Sequence, residues 1–324
     1  MKFDIAKDFI SQHSHFIITA HETPDGDAIG SECAVYRGLQ KMGKRSLIFN
    51  ADPIPQKFKF LDPDGNVNVL ASQMLLPKDI SEYVLLMLDT NDTHNIGIVA
   101  DYVLPVVKDY LIIDHHENGG NTLTANLIIE EASSTCEILY DLFSEIGVEI
   151  DFLLAQALYV GIVYDTGSFI YPKTTAKTFS IAHVLVENGV NPNDIYSRIY
   201  ESNSISSLVL QSKVLSTLEL HFDKQVAIQT MLKETIIQCN ASYEEADTLI
   251  NIPLKSERIR VSIFFKENLE GILRCSLRSK GNINVAEISQ IMGGGGHKTA
   301  SGFKCKLPLE EVKKKVLEML KVYF

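Results

Sequence analysis

No apolar run in this sequence approaches the roughly 18–20 residues that a membrane-spanning helix requires. The opening stretch "MKFDIAKDFISQHSH" sets Asp4 and Asp8 among its apolar positions, where a secretory leader would be uninterrupted. Cysteine is scarce: five residues, an odd number, irregularly spaced and with no CxxC pair. That pattern argues against a disulfide frame and leaves Cys33, Cys136, Cys239, Cys275 and Cys305 as packing residues of a cytoplasmic protein. Basic residues are in deficit as well. Thirty Lys and Arg against 41 Asp and Glu leave a formal net charge of −11, which argues against gripping long duplex nucleic acid by a broad basic face. A small anionic substrate is still open to it, because two divalent cations would offset four charges and a local cluster of arginine and lysine would reverse the field near the site.

What is present falls into two halves. At 324 residues the chain has room for two domains, each with its own core. In the first half short apolar runs alternate with helical patterns. Strands are predicted at 16–20 ("FIITA"), 46–50, 83–90 and 110–116, and helices at 28–43, 133–147 and 152–169. This is the signature of a doubly wound, mainly parallel α/β sheet. Residues 174–218 read as helical. Strands follow at 225–232, 258–267 and 271–279, then the helical "NVAEISQIM" and the strand-like "GFKCKL". An amphipathic helix closes the chain, with Val312, Val316 and Leu320 on one face. The second half therefore reads as a smaller mixed-sheet α/β domain. The expected limits are 1–190 and 218–324, with a helical connector over 191–217.

"HETPDGDAIGS" places His21, Asp25 and Asp27 directly after the first strand. Pro24 and Gly26 allow a plain turn reading, and the acids and imidazole allow a metal site. The pattern recurs. Asp89 follows "YVLLML", Asp114, His115 and His116 follow "YLII", and Asp165 stands near the end of the apolar helix over 152–166. In open parallel sheets ligands gather outside the carboxyl ends of the strands. Singly, each residue reads as a cap or a hydrogen-bonding group. Jointly, unpaired carboxylates at one edge would repel and their pKa values would rise, and divalent cations remove that cost. Carboxylate with imidazole suits Mn²⁺ best, with Mg²⁺ as the alternative.

A second cluster lies at "GGGGHKTASGF", 293–303. Its glycines are either a flexible loop or a close backbone approach to an anion. His297 and Lys298 follow them, Arg278 and Lys280 precede them, and Arg274 shares a strand face with Arg278. Together these make a candidate phosphate pocket.

The segments "HETPDGDAIGS", "MLDTND", "IDHH" and "GIVYDTGSF", with "SLRSKG" and "GGGGHKTASGF", resemble the DHH phosphoesterases and their DHH-associated C-terminal domain. The resemblance spans essentially the whole chain and matches the type that degrades nanoRNA and dephosphorylates pAp. It implies a hydrolase with two divalent cations, one held by His21, Asp25 and Asp89 and the other by Asp27, Asp89, His115 and Asp165. Asp89 would bridge them. His116 would face the scissile phosphate as a donor or general acid, or would instead orient Asp114 or a ligand, while Asp114 fixes a histidine tautomer. Arg278, His297, Lys298 and the amides of Gly294, Gly295 and Gly296 would hold a 5′-phosphate. The implied reaction cleaves the P–O3′ bond of short single-stranded RNA or of pAp, leaving 5′-mononucleotides, with neither long duplex nor membrane as partner and a homodimer compatible with it. Phosphodiesterase action on linear dinucleotides, a pyrophosphatase or exopolyphosphatase, and a non-catalytic nucleotide sensor are the competing readings. Two positions depart from the pattern: His94 stands where an arginine is expected, and Ser301 where alanine is common.

Overall fold

The computed structural model describes residues 3–71, 76–116 and 126–324. The chain divides after Ser202 into two compact units, at a point inside the 191–217 span expected to connect the domains.

The first unit is built on a six-stranded sheet. Its central strands are β1 (His15–Thr19), β2 (Arg45–Asn50), β4 (Val84–Leu88) and β5 (Tyr110–Asp114), flanked by the short β3 (Val67–Val69) and β6 (Asn126–Ile128). The order is β3-β2-β1-β4-β5-β6 and every neighbouring pair is parallel. Strands covered on both faces must be apolar nearly throughout, and β4, "VLLML", is buried at all five positions. One face packs on α1 (Asp4–Gln12), α2 (Gly26–Lys41), α4 (Thr135–Ile146) and α5 (Phe152–Asp165). The other packs Ile17, Leu85, Met87 and Ile112 against Val99 of α3 (Ile98–Tyr102) and its surroundings. Two further helices, α6 (Ala176–Glu187) and α7 (Pro192–Tyr200), complete the unit.

Local chemistry places the helix ends. The Asp25 carboxylate accepts from the backbone N–H of Asp27 and Ala28, at 2.9 and 3.2 Å, so α2 starts two residues before the predicted 28. The helix expected over 152–169 stops at Asp165, where the Thr166 hydroxyl folds back onto the Ile162 carbonyl.

The second unit carries α8 (Ile205–Leu215) and then a mixed sheet of β7 (Glu219–His221), β8 (Val226–Met231), β9 (Val261–Glu267), β10 (Leu273–Ser279), β11 (Gly295–His297) and β12 (Ala300–Cys305). The order is β11-β12-β10-β9-β8-β7, with β8 and β9 parallel and the other pairs antiparallel. One face buries Ile228, Ile263, Phe265 and Leu277 under α10 (Val285–Ile291) and α11 (Leu309–Leu320). Val312, Val316 and Leu320 of α11 are fully buried there, as their spacing predicts. The opposite face packs Met231 and Phe264 against α8 and α9 (Lys233–Cys239).

All five cysteines are free thiols, and only Cys305 is less than buried. No helix among the described residues is long and apolar enough to cross a membrane.

Candidate metal centre

The strand order reverses direction between β1 and β4: from β1 the chain moves out to β2, and from β4 to β5. Such a switch point opens a crevice at the carboxyl ends of the two strands. His21, Asp25 and Asp27 follow β1, Asp89 follows β4, and Asp114, His115 and His116 close β5. Asp165 is the last residue of α5.

These side chains converge. His21 Nε2 lies 3.6 Å from Asp89 Oδ2. His115 Nε2 lies 2.9 Å from Asp165 Oδ2, 3.5 Å from Asp89 Oδ1 and 3.9 Å from Asp27 Oδ2. Candidate ligand atoms gather within 4.8 Å of one another in three sets: His21, Asp25 and Asp89; Asp27, His115 and Asp165; and Asp89, His115 and His116. All six residues expected to hold metal therefore meet at one sheet edge, with Asp89 and His115 each common to two sets.

The electrostatics are those of a site built for cations. Asp27 and Asp89 are buried, and among the described residues neither pairs with a lysine or arginine. Burial pushes both carboxyls well above their ordinary range, and the charges of neighbouring aspartates push in the same direction. Asp25 is raised for the same two reasons. Carboxylates with two imidazoles are a donor set for a hard divalent cation, and the acidic residues here can hold one.

Asp27 is locked by the start of α4. The backbone N–H groups of Thr135 and Cys136 donate to its two oxygens at 2.6 and 3.0 Å, and the Thr135 hydroxyl donates to Asp89 Oδ1 at 3.0 Å. The helix supplies unpaired N–H groups and the positive end of its dipole. Gly161 of α5 makes room for this contact: a Cβ there would lie 2.4 Å from Asp27 Oδ1 and 2.3 Å from Cys136 Sγ. Neither Thr135 nor Gly161 was singled out from sequence, and the only signal was a small residue inside an otherwise apolar helix. Asp89 itself has a left-handed backbone, φ 59°, which aspartate tolerates better than most residues.

Asp114 Oδ1 accepts from His116 Nδ1 and from the backbone N–H of His115, both at 2.8 Å. That hydrogen bond raises the His116 pKa even though burial opposes it. Asp114 thus orients His116, whose side chain is 54% exposed and whose Nδ1 lies 3.8 Å from Asp89 Oδ1. Two lysines escaped the sequence reading. Lys173 Nζ donates to the His115 carbonyl at 3.2 Å. Lys57 places its ammonium 4.8 and 4.9 Å from the ring centres of Phe58 and Tyr164. His94, which stands where an arginine is expected, is exposed and bonded to Asp92 at 2.8 Å.

In the second unit, Arg278 of β10 stands opposite Ala300 of β12, which stands opposite His297 of β11. Directly opposed residues of antiparallel strands share a face, so guanidinium and imidazole project from the same side. Gly295–His297 are a strand, not a flexible loop. A Cβ at Gly294 would lie 2.2 Å from the Gly302 carbonyl oxygen, and the Gly294 N–H donates to Ser289 O at 2.7 Å. The close approach served by Gly294 is therefore to β12, and its amide is committed within the fold. Gly295, Gly296 and Lys298 are exposed. Lys280 turns to the Ser256 carbonyl at 3.0 Å. Ser301 spends its hydroxyl inside the unit, donating to Val285 O and accepting from Ser289 Oγ, both at 2.7 Å.

The profile of the DHH family, N-terminal domain, matches residues 15–162, and that of the DHHA1 domain matches residues 223–324. The chain is similar to the bifunctional oligoribonuclease and PAP phosphatase NrnA of Thermus thermophilus, with 28% identity over 305 residues, 94% of this chain and 88% of that one. It is 27% identical over 300 residues to the protein of the same name from Bacillus subtilis, covering 90% of each. Among solved structures, an exopolyphosphatase-related protein from Bacteroides fragilis superposes with a TM-score of 0.92 at 28% identity, covering 99% of this chain and 96% of that one.

Proposed function

The chain belongs to the DHH family and carries its DHHA1 domain, and from that premise we propose that it is a two-metal phosphoesterase that cleaves the P–O3′ bond of short oligoribonucleotides and of pAp. The observation that carries this reading is the meeting of His21, Asp25, Asp27, Asp89, His115 and Asp165 at one sheet edge. The names of the Thermus and Bacillus relatives support the substrate class.

His21, Asp25 and Asp89 would hold one cation, and Asp27, Asp89, His115 and Asp165 the other, Mn²⁺ suiting the donors best. When bound, such a pair supplies Lewis acidity and an activated water. The protein's own residues do the rest. Asp89 sets the spacing of the two ligand groups, and the N-terminus of α4 fixes the orientation of Asp27. Asp114 holds Nδ1 of His116, leaving Nε2 as the atom that donates a proton to substrate. Arg278 and His297, on one face of the second unit's sheet with Ala300 between them, would bind the 5′-phosphate. One arrangement then serves both substrates, because in pAp and in a short RNA the broken bond joins phosphorus to the 3′ oxygen of a nucleoside 5′-phosphate.

The test offers purified protein with Mn²⁺ pAp, pApA, a five-nucleotide RNA, a long RNA, polyphosphate and pyrophosphate side by side. Turnover of pAp, pApA and the short RNA is expected. Exclusive turnover of polyphosphate or pyrophosphate would replace this reading with that of an exopolyphosphatase or pyrophosphatase. Removing the 5′-phosphate from pApA should lower kcat/KM, and an unchanged value would remove Arg278 and His297 from substrate binding.

A further inference from the structure

Beside Arg278, on the same sheet face, a cavity of about 240 Å³ is lined by Lys266, Arg274, Ser276, Arg278 and Asp247. We propose that Asp247 occupies an anion position in this cavity as a carboxylate, and that the phosphate monoester of a nucleotide takes the position by displacing it. The proposal rests on the phosphoesterase reading above and adds Lys266 to the substrate contacts of its second unit, with Asp247 as the group that gives way.

The cavity gathers three cationic side chains and one carboxylate, an excess of two positive charges. Among the described residues no carboxylate pairs with Arg274 or Arg278, and Asp247 pairs with Lys266. Displacing Asp247 leaves three positive charges, and a phosphate monoester, at about −1.5 to −2 at neutral pH, balances more of them than a diester with its single negative charge. In a chain of net charge −11, a concave positive site is out of keeping with the rest of the molecule. Burial and the neighbouring Arg274 both weaken the hold of Arg278 on its proton, a strain that a bound anion relieves.

The Lys266–Asp247 pair is unequal in burial. The lysine side chain is 3% exposed and the aspartate 60%. Lys266 lies against aromatic faces, its ammonium 4.4 Å from the centre of Tyr243 and 5.9 Å from that of Phe264. Once released, Asp247 is hydrated at little cost, whereas a buried ammonium without an anion is costly. Lys266 therefore requires an anion in the cavity at all times, and the resident one is exchangeable. Asp247 keeps the empty site stable and discriminates against ligands too weakly charged to displace it.

The experiment is calorimetric titration of the full chain with 5′-AMP in the presence of a chelator, so that the metal centre contributes no binding. Adenosine serves as the phosphate-free control. Asp247→Asn should tighten 5′-AMP binding about tenfold and Lys266→Met should weaken it at least tenfold, with adenosine unaffected by either. An unchanged or weakened affinity in Asp247→Asn, or an unchanged one in Lys266→Met, overturns the proposal. Should Asp247→Asn unfold, Asp247→Ser is read in the same way, and Lys266→Arg keeps the cation. A chain that binds 5′-AMP with this pattern but hydrolyses no phosphate ester would retire the phosphoesterase reading alone. Hydrolysis with no response to Asp247 would retire only this proposal.

Discussion

At the scale of single residues, two buried acids make opposite demands on the protein. Asp89 is buried with its carboxyl pushed up by burial and by its acidic neighbours, so it works as a carboxylate only beside a cation. Asp89→Asn should lower Mn²⁺ affinity in calorimetry and kcat/KM by at least on the order of a hundredfold, the upper range for the outer partners of a metal site. Glu32 of α2 lies at the other extreme. It is fully buried, accepts from Asn50 Nδ2 at 2.9 Å, and burial raises its pKa to about 8 against an ordinary 4.5. A raised carboxyl favours the protonated fold, so its contribution is complete below about pH 4.5 and is lost as pH climbs toward 8. The span corresponds to roughly 3–5 kcal/mol. Denaturant titrations should show wild type losing stability over that window and Glu32→Gln following a flatter course; parallel curves would mean that Glu32 is ionised throughout.

At the scale of elements, the interplay of α4 and α5 governs the centre. Gly161→Ala would drive a methyl group into Asp27 and Cys136, and the fold would yield by about 1–3 kcal/mol. We expect a lower Tm together with a drop in Mn²⁺ affinity, and a loss of Tm with intact affinity would show that α5 does not set the position of Asp27. Ser301→Ala breaks two buried hydrogen bonds between β12 and α10 and should cost about 1–2 kcal/mol, read as the melting of the second unit. The four central strands of the first unit were legible because each is an apolar run cut off by an acid or histidine, and that interruption also marked the ligands. The short strands β3, β6 and β7 and the helix α9 are too brief to stand out, whereas α1 carries Ala6, Phe9 and Ile10 at helical spacing and was overlooked because its stretch was read only for a leader. What stayed hidden at the site has one physical cause. The hold of Thr135 on Asp27, the clearance at Gly161 and the pairing of Lys266 with Asp247 join residues 19 to 134 positions apart, and periodicity reports only neighbours.

At the scale of the molecule, the two units have separate cores. Residues 203–324, expressed alone, should melt cooperatively, and a non-cooperative trace would mean that their cores are insufficient. The first unit should respond to metal as the second does not. With Mn²⁺ at a hundred times its Kd, about 2.7 kcal/mol of stabilisation is expected, a rise of roughly 5–10 °C in Tm, reversed by chelator and absent from the 203–324 fragment. The ligands come from four stretches of chain, at 21–27, 89, 115 and 165, so ions seated among them would fasten loops of roughly 25 to 65 residues. Fastening loops of that length is the service that sulfur bridges render in extracellular domains. In a protein whose five thiols all stay single, the ions proposed for its chemistry would also be its rivets, and stripping divalent cations from it would loosen the scaffold along with the chemistry.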